Sequence, residues 1–313
     1  MQLADISWTT IVTGLSLFLF GIDYLSNGLK NISQNRWHHI IAKATSHPIK
    51  SILIGCFVTC LIQSSSATTA MTIALIRSRV MTFKQSTGII MGANIGTTMT
   101  AFIVGLNISQ YAVYFIIAGV VLSLLKKKQF CGHILFGVGC LFYGLELMNI
   151  HLQQLSQIDT VNQLINQALT PLTAFMTGII ITGLIQSSSA FIAIVQQLYA
   201  VSAISLYLAI PFLLGSNIGT TVTAVIASFK GHYHEKQAAL FHVFFNLAGS
   251  LVFMLGLNVF YRLILFLSLD TMLKPAMLLA CIHGFFNLVT TIMIYPLIDT
   301  MTRIIQKIIP NQD

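Results

Sequence analysis

The sequence predicts an all-α polytopic membrane protein made of two inverted-topology repeats, each holding a re-entrant helical hairpin that carries the tetrapeptide QSSS. Three observations predict it. The chain is overwhelmingly apolar, one long segment recurs at a fixed spacing of 123 residues, and Lys and Arg are distributed unevenly among the loops.

Composition sets the solvent. Of 313 residues, 56% are hydrophobic and 8% charged, against about 25% charged in an ordinary soluble domain. Mean hydropathy is +0.84. A surface facing water cannot be covered by so few charges, so the lipid bilayer is the expected partner. The net charge of +8 comes as short clusters between apolar runs, the pattern of the positive-inside bias rather than of a basic stripe. No nucleic-acid partner is expected. Cys56, Cys60, Cys131, Cys140 and Cys281 lie in or beside apolar runs without metal-ligand spacing and read as small packing residues. The first apolar run lacks the charged flank of a signal peptide and reads as a retained helix.

The repeat aligns the halves without gaps. Gly14 and Gly21 fall on Gly137 and Gly144, Asp23 on Glu146, and Pro48 on Pro171. Leu61–Ala67, LIQSSSA, falls on Leu184–Ala190, and Asn94–Thr98, NIGTT, on Asn217–Thr221. A seven-residue and a five-residue identity at one spacing do not arise by chance. The repeats are placed at residues 1–131 and 132–313, the second with an extra C-terminal span. Internal repeats of this size in a membrane chain point to a secondary transporter with its site at the repeat interface.

Charge decides the topology. The runs opening at Pro48 and Pro171 hold QSSS at their middle and either span once or double back. With both as hairpins, 14 Lys and Arg lie on one side and only Arg262 and Lys274 on the other. With both as full spans, two basic segments face opposite sides, against the positive-inside rule. Hairpins leave three full spans per unit, an odd number, so the copies are expected to be inverted. Residues 30–50, 77–84, 126–131, 230–236 and the C-terminus are expected to be cytoplasmic, in a bacterial inner membrane.

Irregular backbone at membrane depth is tolerated only where it is buried in protein or lines a cavity. Ser64, Ser65, Ser66, Ser187, Ser188 and Ser189 offer hydroxyls that donate and accept, and Gln63 and Gln186 add amides. Broken-helix N-termini seat an anion through free N–H groups, while freed carbonyls and hydroxyls suit sodium. These residues are the candidate substrate and sodium site, with Asn94, Thr97, Thr98, Asn217, Thr220 and Thr221 in support. Sodium itself is assigned to Gln63, Ser65, Gln186, Ser188, Thr98 and Thr221. Gly88, Gly92 and Gly96 share a helix face and read as a close-packing surface. Asp23 and Glu146 read as interfacial acids. His242–Asn246 and His283–Asn287, both HxFFN and 41 residues apart, read as helix–helix contacts.

At the two QSSS segments, GANIGTT (Gly92–Thr98), GSNIGTT (Gly215–Thr221) and the HxFFN pair, the chain resembles the type II sodium–phosphate cotransporter family. The resemblance implies sodium-coupled uptake of inorganic phosphate through a site formed by the QSSS regions. Many bacterial relatives of that family carry a PhoU-like domain; because the chain ends soon after its last span, that regulation is expected to be absent or to come from a separate PhoU-like polypeptide, and a homodimer is a further candidate assembly. Where the first QSSS is followed by Ala67-Thr-Thr, the second is followed by Ala190-Phe-Ile, so the halves are expected to hold different ions. Competing readings are a carrier of another small oxyanion, a phosphate exporter, a channel-like protein, and an intramembrane Ser/His hydrolase. Duplicated serines and histidines argue against the single nucleophile–base pair that a hydrolase needs, and no enzymatic activity is expected.

Overall fold

The computed structural model describes residues 7–31, 47–125, 128–158, 169–268 and 272–311. Among these it contains helices and turns and no strand. The first half comprises α1 (Trp8–Asn31), α2 (Pro48–Ile62), α3 (Ser65–Arg77), α4 (Phe83–Gly105) and α5 (Ala112–Ser123). The second comprises α6 (Gln129–Ser156), α7 (Pro171–Ile185), α8 (Ser188–Ala200), α9 (Leu206–Gly219), α10 (Thr221–Ser228) and α11 (Tyr233–Leu255). Then follow α12 (Leu257–Ser268), α13 (Pro275–Ile294) and α14 (Ile298–Ile308). Six helices among the described residues are long and apolar enough to cross a membrane. The apolar run 238–262 proves to be two helices, because the chain turns at Gly256, which caps α11. The run 207–228 is nearly continuous: α9 and α10 meet at Thr220, whose φ of −59° and ψ of −28° remain helical.

Local chemistry explains where the helices begin. Pro48 and Pro171 occupy the first turns of α2 and α7, where a missing N–H costs nothing and a fixed φ suits the helix. Thr82 and Gln85 form a reciprocal capping box at α4, as Thr170 and Thr173 do at α7.

Glycines then fix how the helices lie. A Cβ on Gly88 would meet Ser51 and the Pro48 carbonyl, one on Gly92 would strike the Ile52 carbonyl, and one on Gly96 would meet Cys56 and Thr59. The numbers rise together, so α2 and α4 run side by side in the same direction. It follows that α3 carries the chain back from the tip of α2 to the start of α4. The second half repeats this: Gly215 meets Phe175 and Ile179, and Gly219 meets Ile179 and Thr182, which makes α7 and α9 parallel and α8 the returning arm. At 1.5 Å per residue, the 15 residues of α2 rise about 22 Å, less than the roughly 30 Å of a hydrocarbon core.

The halves are related by an approximate twofold axis. Gly14 packs on Gly144 and Gly21 on Gly137. Since Gly14 corresponds to Gly137 and Gly21 to Gly144, each contact is the image of the other. The equivalent helices α1 and α6 therefore run antiparallel, and the axis lies perpendicular to them. With those helices crossing a bilayer, such an axis lies in the membrane plane, and the repeats are inverted. A second pair of images shows where the HxFFN repeat belongs. Ala101, Ile192 and Ala280 form one cluster, and Ile73, Ala224 and Ala239 another. Ala101 and Ala224 are 123 residues apart and Ala239 and Ala280 are 41 apart, so α13 stands to α4 and α8 as α11 stands to α10 and α3.

Ion pairs mark one end of the molecule. Arg77 meets Glu235 at 2.6 Å, Lys84 meets Asp299 at 2.7 Å, and Gln237 Nε2 donates to the Ile309 carbonyl at 2.7 Å. Pro48 and Lys84 line one cavity. The start of α2, the end of α3 and the starts of α4 and α11 thus share this end. The opposite end is marked by Gln196 Nε2, which donates to the Ala276 carbonyl at 2.7 Å, and by Gly105 against Met277. Of the segments predicted to lie on the basic side, 32–46, 126–127 and the last two residues fall outside the described residues.

Candidate functional site

Both QSSS segments are helix breaks of the same construction. Gln63 and Gln186 cap α2 and α7 in the left-handed conformation, with φ of 57° and 58°, a geometry that is sterically costly for a side chain with a Cβ. The first serine of each segment then restarts the helix. Ser64 Oγ accepts from the Ala67 N–H at 3.1 Å, and Ser187 Oγ accepts from the Ala190 N–H at 3.3 Å. The second and third serines occupy the first turns of α3 and α8, where backbone N–H groups have no partner within the helix. Each tip therefore presents a positive helix end and small hydroxyls, with Ser65 and Ser188 buried.

The two tips are joined through Thr100 on α4. Its hydroxyl donates to Gln63 Oε1 at 2.9 Å and accepts from Ser189 Oγ at 3.4 Å. Thr100 lies two residues beyond the supporting threonines named from sequence. Its only signal there was its place in the repeat opposite Thr223. Thr223 does not make the corresponding bridge and donates instead to the Thr220 carbonyl at 2.8 Å.

The tips also differ in closure. Gln63 is buried, and its amide Nε2 donates to the Cys60 carbonyl. Ser26 of α1 donates to the Ile62 carbonyl at 2.5 Å, so the carbonyls freed at the end of α2 are capped. In the second half Gln186 is exposed, and Leu184 before it is 77% exposed. α1 packs on α2 but α6 makes no comparable packing on α7. Asn149, at the position of Ser26, leaves its Oδ1 without a hydrogen-bond partner.

The departure at Ala190-Phe-Ile has a compensating partner. In the first half Thr59 Oγ1 donates to Thr68 Oγ1 at 2.9 Å. Phe191 replaces that threonine in the second half, and Thr182 donates instead to Ser216 Oγ at 2.9 Å, where the first half has Ala93.

The supporting residues are buried, and their donors are spent on their own helices. Asn94 and Asn217 donate to the Ile90 and Leu213 carbonyls, each at 2.9 Å. Thr97, Thr98, Thr220 and Thr221 likewise donate three or four residues back. Their lone pairs remain the groups with something to offer a cation. Among the described residues no group of three His, Cys, Asp or Glu side chains converges as a metal site. The donors at the tips are hydroxyl, amide and backbone oxygens, the hard set that suits sodium rather than a transition metal.

Other motifs spend their polar groups within their own helices. Asp23 lies eight residues inside the end of α1, exposed, and accepts from Asn27 Nδ2 at 2.9 Å; Glu146 lies ten residues inside α6. In each HxFFN the Asn donates to the carbonyl of its own His, at 3.0 Å for Asn246 and 3.2 Å for Asn287, not across helices. Both imidazoles are buried without hydrogen-bond partners.

A sequence profile described as Na+/Pi-cotransporter matches residues 17–150 and again 146–274. The chain belongs to the Na+/Pi-cotransporter family. The two matches fall on the two halves of this fold, so the family profile finds the repeat as well as the relationship. Among relatives, the uncharacterized protein YqeW of Bacillus subtilis (strain 168) is 30% identical over 309 residues, covering 97% of this chain and 98% of that protein. The putative inorganic phosphate export protein YjbB of Escherichia coli (strain K12) is 25% identical over 307 residues, 96% of this chain; the chain spans 56% of YjbB's length. The sodium-dependent phosphate transport protein 2C of Homo sapiens is 48% identical over 86 residues, 26% of this chain and 14% of that protein. No solved structure matches the chain. With six membrane-length apolar helices among its described residues, this member of the Na+/Pi-cotransporter family is a multi-pass membrane protein.

Proposed function

We propose that the protein is a sodium-coupled carrier of inorganic phosphate that works by alternating access, with α2–α3 and α7–α8 as re-entrant hairpins whose tips hold substrate and sodium between them. The observation that carries this reading is the hydrogen-bonded path from Gln63 through Thr100 to Ser189, which brings the break of one inverted half against the break of the other. Serine hydroxyls and the unpaired N–H groups of α3 and α8 would receive the phosphate oxygens. Carbonyls released at the open end of α7 would receive sodium in this arrangement, and those of α2 once Ser26 and the Gln63 amide release them. The capped first tip and the open second tip supply the asymmetry that alternating access requires, and exchange of the two arrangements would carry the site from one side to the other. The basic end holding Arg77, Arg79, Lys84, Lys230 and Lys236 is assigned to the cytoplasm on the positive-inside rule, which also places the C-terminus there.

A second reading, phosphate export, is favoured by the alignment of nearly the whole chain with YjbB. One experiment tests both. In proteoliposomes given an inward sodium gradient, the carrier accumulates radiolabelled phosphate saturably, and collapsing the gradient abolishes accumulation. Efflux from loaded vesicles that ignores sodium would replace the coupled reading with the export one. No phosphate movement in either direction, from protein shown to be folded, would refute both.

A further inference from the structure

A cavity of about 400 Å³ opens at the basic end of the molecule. It is remote from the QSSS tips: Arg77 lies twelve residues along α3 from Ser65, about 18 Å of helix rise. Arg77 and Arg79 line it from the first half, and His232, His234 and Glu235 from the start of α11. The one acid does not spoil it for an anion. Glu235 is 1% exposed and spends Oε2 on Arg77, with Nη2 at 2.6 Å and Nε at 2.9 Å. Its Oε1 accepts from the His232 N–H at 3.4 Å. Arg79 is exposed and has no ion-pair partner among the described residues, so the cavity keeps a net positive charge before either imidazole is counted.

The repeat shows that this chemistry is not demanded by the fold. Arg79 is left-handed, with φ of 57°, and its counterpart Ser202 has φ of 60°. The turn therefore needs that conformation in both halves. The second half fills the equivalent positions with Ala200 and Ser202, while the first places guanidinium groups there, one of them on a backbone that favours glycine. Guanidinium forks and imidazoles converging from two helices match the oxygens of a tetrahedral oxyanion. Basic pockets at the cytoplasmic face of a membrane protein also take phosphorylated lipid headgroups.

We propose that this cavity is a second site for a phosphate group, carried by inorganic phosphate or by an anionic lipid, with Arg79 as its principal ligand and Arg77, His232 and His234 completing the ring. The site spans the joint between the first hairpin and α11, so its occupant touches both halves at once. The proposal is independent of sodium coupling, and its test is run without sodium.

The full chain is placed in phosphatidylcholine nanodiscs, and equilibrium binding of radiolabelled phosphate is measured in sodium-free buffer. A parallel preparation containing phosphatidylglycerol is analysed by native mass spectrometry for retained lipid. Arg79→Gly is the informative variant, because glycine suits the left-handed backbone and preserves the turn; thermal melting checks that it folds. Sodium-independent phosphate binding that weakens about tenfold or more in R79G supports the site with soluble phosphate as occupant. Retained phosphatidylglycerol lost in R79G supports it with lipid as occupant. If neither ligand is held, or if R79G and His232→Gln hold both as the unaltered protein does, the proposal is overturned.

Discussion

Thr100 is where the two QSSS tips meet through polar atoms, and its hydroxyl is asked to do two things at once. Thr100→Val keeps the shape and removes the donor. Gln63 Oε1, buried against it, would then lack a partner, at a cost of about 1–3 kcal/mol. Thermal stability and phosphate flux should both fall in T100V, while Thr100→Ser keeps most of each. The counterpart behaves differently. Thr223 donates to its own helix in this arrangement, so Thr223→Val should leave stability within about 0.5 kcal/mol yet still lower flux, since the proposed alternating-access cycle exchanges the roles of the halves. Equal loss of stability in T100V and T223V would mean that the asymmetry is not a property of the protein. At this scale the QSSS serines and glutamines were legible, because polar residues at the centre of an apolar run must be explained. Thr100 was not. A threonine inside a helix ordinarily donates to its own backbone, as Thr97 and Thr98 do, and only the tertiary fold shows which threonine does otherwise.

Close approach of helices is the element-scale counterpart. α2 and α4 meet so tightly that a Cβ on Gly92 would strike the Ile52 carbonyl, a backbone atom that cannot move without its helix. Gly92→Ala should cost about 3 kcal/mol, read as a lower melting temperature and a smaller monodisperse fraction after solubilisation. Gly183→Ala is the control. The nearest atom to its Cβ would be Val222 Cγ2 at 3.3 Å, at the end of a side chain that can turn, so the change should stay within about 0.5 kcal/mol. Tolerance of G92A would mean that the hairpin does not pack as described. The glycine face was legible from the spacing of Gly88, Gly92 and Gly96, as were the prolines that open the hairpins. Two element-scale features were hidden. The division of run 238–262 at Gly256 leaves hydropathy unchanged, since α12 is as apolar as what precedes it. The role of HxFFN as a mark of equivalent helices α11 and α13 lies in a 41-residue spacing outside the main repeat, and it becomes visible only when both helices are seen against matching clusters.

For the whole molecule, the repeat and the charge count together made inversion legible before any coordinates, because equivalent loops with opposite Lys and Arg content must face opposite sides. The antiparallel contact of α1 with α6 agrees with that expectation. Open and capped tips were not legible: the two QSSS segments are identical in sequence, and their difference arises from what packs around them, Ser26 on one side and, on the other, Asn149, whose Oδ1 has no hydrogen-bond partner. The central claim is that one site is shared by both halves. It is tested most directly by sodium-driven phosphate accumulation in proteoliposomes containing Ser65→Leu or Ser188→Leu, each checked for folding by thermal melting. A shared site predicts that each substitution alone abolishes accumulation, although the serines are 123 residues apart in sequence. Accumulation at the unaltered rate in either variant would contradict it and confine the site to one half.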